Sequence, residues 1–138
     1  MPVVLEDVKD VPCVMFLHTR GGCRIEGMFL RQYFLPKTTL CVFDFAGSGL
    51  SEGDYISLGP KEKRDAKQVM DYIKKAYNIG PIFLWGRSMG AITSILLARD
   101  HPDDVAGLIL DAPFSEITTM VGLCDVGQRP RNFTQRRA

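Results

Sequence analysis

The run Ile82-Phe83-Leu84-Trp85-Gly86-Arg87-Ser88-Met89-Gly90-Ala91 decides how this chain folds. Ile82 to Trp85 is apolar throughout and reads as a buried strand, and the stretch from Ala91 to Ala98 reads as a helix. A sharp strand-to-helix turn joins the two, with Ser88 at its tip and Gly86 and Gly90 on either side. Side chains at those two glycines would collide with the neighbouring strand and helix in so tight a turn. Such a turn holds a serine hydroxyl exposed above the end of a parallel sheet. The same residues also admit a plainer reading, a βα turn of another doubly wound fold in which Ser88 only caps the helix.

Working outward, the chain alternates short apolar runs with longer helical periods. Cys13 to Leu17 is continuously apolar, ends at His18 and reads as a buried parallel strand. After Thr19-Arg20-Gly21-Gly22, the segment Ile25 to Leu35 has helical character and stops at Pro36. Leu40 to Phe43 is a second strand ending at Asp44, followed by a glycine-rich loop from Phe45 to Asp54. Pro60 opens the clearest helix, whose apolar face is Ala66, Val69, Met70, Ile73, Ala76 and Tyr77. Its other face mixes Lys61, Lys63, Arg64, Lys67, Lys74 and Lys75 with Glu62, Asp65 and Asp71, which reads as a solvated surface. Asn78 and Gly80 end it. Ala91 to Ala98 is apolar almost all round, which predicts burial on most sides, and Ala106 to Leu110 makes a fourth strand before Asp111-Ala112-Pro113-Phe114. Four strands alternating with three helices predict an α/β fold with a parallel sheet core and flanking helices.

Length and composition bound the reading. The chain has 138 residues, enough for one domain with a real core. It is 46% hydrophobic and 24% charged, as soluble globular proteins are. A net charge of +1 gives no electrostatic case for nucleic acid or an anionic membrane. No apolar run reaches the roughly 18 residues that a transmembrane segment needs, and residues 1–7 lack the basic start and apolar stretch of a secretory signal. Cys13, Cys23, Cys41 and Cys124 show no C-x-x-C spacing. Cys13 and Cys41 fall in strand-like runs, as buried thiols do, so neither a metal nor a disulfide is expected and a cytoplasmic setting fits. No cofactor is implied. The glycines of Gly47-Ser48-Gly49 could suggest a nucleotide binder, but the dinucleotide fingerprint opens a helix directly after a strand, and here a polar loop intervenes.

The order of these features resembles the α/β-hydrolase superfamily, particularly its serine aminopeptidase-like and acyl-hydrolase branches. The residues that carry the resemblance are His18 to Gly22, the loop Asp44 to Gly53, Gly86-Arg87-Ser88-Met89-Gly90, and Asp111 to Phe114. They span residues 12 to about 116 of a single partial domain covering residues 1–138, with 117–138 an atypical basic tail. In that family G-x-S-x-G forms a nucleophile elbow. The resemblance implies that Ser88 is the nucleophile of acyl transfer on a small-molecule ester, amide or thioester. It implies that the backbone N–H of Met89, at the start of a helix, is one oxyanion donor and that of Arg20 the other. Asp111, ending a strand on the same edge, is a candidate acid.

Two departures accompany the resemblance. Thr19 stands where the family usually has glycine, and a β-branched residue is poorly suited to a positive φ. The family's catalytic histidine lies near the C-terminus, whereas this chain has only His18, in the oxyanion turn, and His101, beyond the helix that follows Ser88. His18 is expected to turn away from the serine. The triad is therefore incomplete as read, which suggests a truncated or partial product, and the oligomeric state is left open. A non-catalytic α/β-hydrolase-like interaction module is the alternative function.

Overall fold

The computed structural model describes residues 10–35 and 37–114. Four strands, β1 (Cys13–Leu17), β2 (Thr39–Val42), β3 (Ile82–Arg87) and β4 (Gly107–Asp111), form one sheet in the order β2-β1-β3-β4. Every pairing is parallel, with Leu17 opposite Gly86 and Arg87 opposite Asp111. Parallel neighbours require crossovers, and here these run through helical segments. Residues 117–138 and 1–9, including the predicted basic tail, lie outside the described residues.

The segment between β1 and β2 differs from the single helix expected at 25–35. It is a 3-10 helix over Arg24–Leu30 that passes into one α-helical turn, α1 (Arg31–Phe34). Gly27 is buried here, and a Cβ on it would lie 2.6 Å from the Phe16 ring and 2.7 Å from Val42. That close approach lets Phe29 meet Phe16 and Trp85 edge-on, at ring-centroid distances of 6.2 and 6.3 Å. Phe34 also packs edge-on against Trp85, at 5.8 Å.

The other face of the sheet carries α2 (Glu62–Tyr77) and α3 (Met89–Asp100). Cys13, Met15, Leu17, Ile82 and Leu84 point into a core that also holds Ala66, Met70, Ile73, Met89, Leu97 and Phe45. The apolar period of α2 is therefore the buried one, although Ala76 and Tyr77 at its end are exposed. Asn78 ends α2 in the left-handed region, as a helix C-terminus favours. Glu62 corrects the reading of the charged face. It is 1% exposed and turned inward, accepting from Ser57 N–H at 2.8 Å, Ser57 Oγ–H at 2.6 Å and Gly59 N–H at 2.7 Å. The loop leading into α2 supplies these donors, and burial is tolerated because both carboxylate oxygens are hydrogen-bonded.

The sheet edges are β2 and β4. Leu108, Ile109 and Leu110 of β4 are all exposed, so both faces of that strand are open among the described residues.

Candidate functional site

Ser88 joins β3 directly to α3, with φ 52° and ψ −112°, a region that non-glycine residues rarely occupy. The tight turn depends on its two glycines. A Cβ on Gly86 would lie 2.2 Å from the Gly90 carbonyl oxygen, and one on Gly90 would lie 1.8 Å from that of Leu17. The start of α3 thus rests on the end of β1. Ser88 N–H donates to the Asp111 carbonyl at 2.9 Å, tying the turn to β4 as well. Strain of this kind persists only where the surroundings over-determine it. Ser88 is half-buried, and its side chain makes no capping hydrogen bond to α3, so the simple cap interpretation does not describe it.

Met89 is the first residue of α3, where backbone N–H groups have no intrahelical partner. Its N–H meets no acceptor among the described residues. Across the β1–β3 pairing lies the turn Thr19–Gly22, closed by Gly22 N–H on the Thr19 carbonyl at 3.1 Å. Gly21 has φ 76°, as the third position of such a turn favours glycine. Arg20, the second residue of the turn, is exposed, and its N–H also meets no acceptor among the described residues.

Thr19 does not adopt a positive φ. Its N–H donates to Glu26 Oε2 at 3.0 Å and its hydroxyl to Glu26 Oε1 at 2.7 Å. The missing glycine is thereby accommodated without strain at that residue.

His18 is fully buried, and both of its ring nitrogens are taken by backbone groups other than those of Ser88. Its Nδ1–H donates to the Thr19 carbonyl at 2.8 Å, and its Nε2 accepts Phe45 N–H at 3.1 Å. The two bonds assign the tautomer and use both nitrogens. His101 follows α3, a helix whose 12 residues span about 18 Å, at the end remote from Ser88. Asp111 is exposed, with Oδ2 3.4 Å from Arg87 Nε. The structure brings Ser88, Met89, Asp111 and the Arg20 turn to one sheet edge and leaves His101 apart.

Asp44, expected at a strand end and as the first residue of a loop that carries the family resemblance, organises that loop through its side chain. Its side chain is 1% exposed and accepts from Arg24 N–H at 2.6 Å, Arg24 Nε–H at 2.9 Å and Leu50 N–H at 3.0 Å. Gly49, at φ 55°, leaves room for it, since a Cβ there would be 2.3 Å from Asp44 Oδ2. Burial alone would raise the Asp44 pKa. The N–H groups of Leu50 and Arg24 and the adjacent guanidinium outweigh it and hold the carboxyl below the usual range. Glu62 behaves alike: burial raises its pKa, and the bonds from Ser57 and Gly59 lower it further than that. Cys13, Cys23 and Cys41 are free thiols, with Cys13 buried and the other two half-buried.

The geometry of this edge is that of a serine-bearing α/β fold, and comparison with known proteins agrees. The model of the family "Serine aminopeptidase, S33" matches residues 28–136. The chain belongs to that α/β-hydrolase family. Mouse monoglyceride lipase is 40% identical over 72 residues, 51% of this chain and 24% of the lipase. Lysophosphatidylserine lipase ABHD12 of Xenopus tropicalis is 30% identical over 114 residues, 77% of this chain and 28% of that protein. The Pyrococcus furiosus esterase Pf2001 superposes with a TM-score of 0.72 at 26% identity, covering 88% of this chain and 51% of the esterase. This S33-family chain thus spans about a quarter of the first two relatives and about half of the solved esterase. The family members it matches include lipases and esterases of the α/β-hydrolase fold. No helix among the described residues is long and apolar enough to cross a membrane, and no three potential metal-ligating side chains gather among them.

Proposed function

We propose that this chain carries the nucleophile-bearing part of a serine acyl hydrolase acting on a small ester, amide or thioester. The strained φ of Ser88 at a glycine-flanked strand-to-helix turn carries the reading, because a nucleophile elbow presents a hydroxyl in this way. Ser88 Oγ adds to the acyl carbon while its proton passes to a base, and the former carbonyl oxygen takes up negative charge. The N–H groups of Met89 and Arg20 meet that charge at a helix start and a turn apex. Collapse expels the alcohol, amine or thiol, and water then releases the acid. Asp111 is the candidate acid, and the lipase and esterase relatives favour an acyl ester as substrate. The free thiols of Cys13, Cys23 and Cys41 fit a reducing, cytoplasmic setting.

One observation favours a second reading, a non-catalytic interaction module of the same fold. Both His18 nitrogens are engaged and His101 is remote, so neither histidine reaches Ser88 as a base. Treatment with a fluorophosphonate, with and without added imidazole as an external base, separates the two. The hydrolase reading expects phosphonylation of Ser88, accelerated by imidazole and absent in Ser88→Ala. No modification of Ser88 under either condition would sink it in favour of the interaction module.

A further inference from the structure

The departure at Thr19 leads to a residue that no part of the G-x-S-x-G pattern signals. We infer that Glu26 is a positioning residue for the oxyanion site, acting through the turn Thr19–Gly22; this rests on the hydrolase reading of Ser88. Glycine would leave the peptide after His18 free to choose its conformation. Threonine gives that peptide a hydroxyl, and one carboxylate seven residues on grips both the hydroxyl and the N–H, at 2.7 and 3.0 Å. A bidentate acceptor fixes orientation as well as position. The next N–H along the chain is that of Arg20, which the turn leaves without an acceptor among the described residues. The Thr19 carbonyl is held independently, by His18 Nδ1–H at 2.8 Å and by Gly22 N–H at 3.1 Å. The peptide linking Thr19 to Arg20 is therefore restrained at its carbonyl end, while Glu26 restrains the peptide before it. With both planes set, the Arg20 N–H direction is set too.

Gly22 belongs to the same device. A Cβ on it would stand 2.1 Å from Glu26 Oε1 and 2.8 Å from Thr19 Oγ1. Its φ lies outside the left-handed region, so alanine fits its backbone and the collision falls on the carboxylate. Gly22→Ala and Glu26→Ala therefore break one clamp by two routes.

The test compares Ser88 phosphonylation rates, in imidazole, for the full chain and for Glu26→Ala, Glu26→Gln and Gly22→Ala. Amide hydrogen exchange is followed at Thr19 and, as a reference, at Met15 and Leu17 inside β1. A misdirected oxyanion donor should slow labelling roughly ten- to hundredfold in Glu26→Ala. Glu26→Gln, which keeps one acceptor, should fall between it and the unmodified chain. Gly22→Ala should resemble Glu26→Ala. Thr19 should lose exchange protection in these variants while Met15 and Leu17 keep theirs, which a general loss of stability would not produce. If Glu26→Ala does not fold, Glu26→Gln and Gly22→Ala decide. Unchanged labelling rates in the folded variants would overturn the inference and leave the hydrolase reading standing. Absence of labelling in the unmodified chain would overturn both.

Discussion

Ser88 donates its backbone N–H to the carbonyl of Asp111 at 2.9 Å, so the last residue of β4 holds the turn that follows β3. The neighbouring strand thus reaches the strained turn residue directly. On the opposite side, Gly90 touches the end of β1. Ser88 is gripped between two strands.

Gly90→Ala should be among the most damaging single-carbon additions in the molecule. Its Cβ would stand 1.8 Å from the Leu17 carbonyl oxygen and 3.0 Å from that of His18, both backbone atoms that cannot swing aside. A loss of at least about 2–3 kcal/mol is expected from the forced separation of α3 and β1. Urea unfolding of the purified variant measures it, and a midpoint equal to that of the unmodified chain would contradict the contact.

Ser88→Gly should raise stability, whereas Ser88→Ala should not. A left-handed φ at a non-glycine residue stores about 1–3 kcal/mol, and glycine releases it at an entropic cost of about 0.5–1 kcal/mol. The glycine variant is expected to exceed the alanine variant by about 1 kcal/mol. Thermal melting of the two side by side gives the comparison, and equal midpoints would remove the strain argument.

Acid should unfold this chain through two buried carboxylates. Asp44 and Glu62 titrate lower when folded than the usual 3.8 and 4.5. Each therefore adds stability above its unfolded pKa and loses it as pH falls through that value toward the folded one. Stability should stay level from neutrality to about pH 5 and decline below that. Asp44→Asn and Glu62→Gln should each lower the plateau and flatten the decline, as read by denaturation midpoints at several pH values.

Thiol reactivity should divide the described cysteines. Burial pushes Cys13 up to about 12, helped by the neighbouring Cys41, and burial alone does the same to Cys41. At pH 8 almost none of either is thiolate, the reactive form. Peptide mass spectrometry after brief iodoacetamide treatment of the folded chain should find Cys13 and Cys41 unmodified and Cys23 alkylated. Rapid alkylation of Cys13 in folded protein would contradict its placement.

Hydrolysis of a simple aryl ester by the chain without added base should be negligible, and Ser88→Ala should lose little more. General-base help requires heavy atoms about 2.6–3.2 Å apart or one bridging water. The bonds of His18 to Thr19 and Phe45 keep its ring from meeting that condition. Ester turnover that vanishes in Ser88→Ala would show that a base reaches the serine.

The four strands were legible because strands of a parallel sheet read as near-continuous apolar runs, and those at Cys13, Leu40, Ile82 and Ala106 do so, although only β1 is buried along its whole length. The bounds of β1 were met, and those of the other three moved by one or two residues, as with Gly86 and Arg87, which extend β3 right up to Ser88. Ser88 itself was legible because steric exclusion leaves a local mark, a glycine on each side. Glu26, Asp44 and Glu62 left no comparable mark. A carboxylate that serves backbone N–H groups on another loop is indistinguishable in sequence from one that faces water. Glu62 illustrates this, since the alternating charges around it pointed outward. The 3-10 stretch from Arg24 to Leu30 was missed for a related reason: Gly27 is dictated by the Phe16 ring on the sheet face it packs against, a partner eleven residues away.

The grip on Ser88 has a consequence for the order in which this molecule assembles. Its backbone geometry is uphill locally, so no isolated piece of the chain containing β3 and α3 has reason to adopt it. It becomes favourable only once Leu17 on one side and Asp111 on the other are in register with β3. The positive φ of Ser88 is thus expected to form late in folding. A chain whose sheet is incompletely zipped would carry Ser88 in a relaxed backbone conformation.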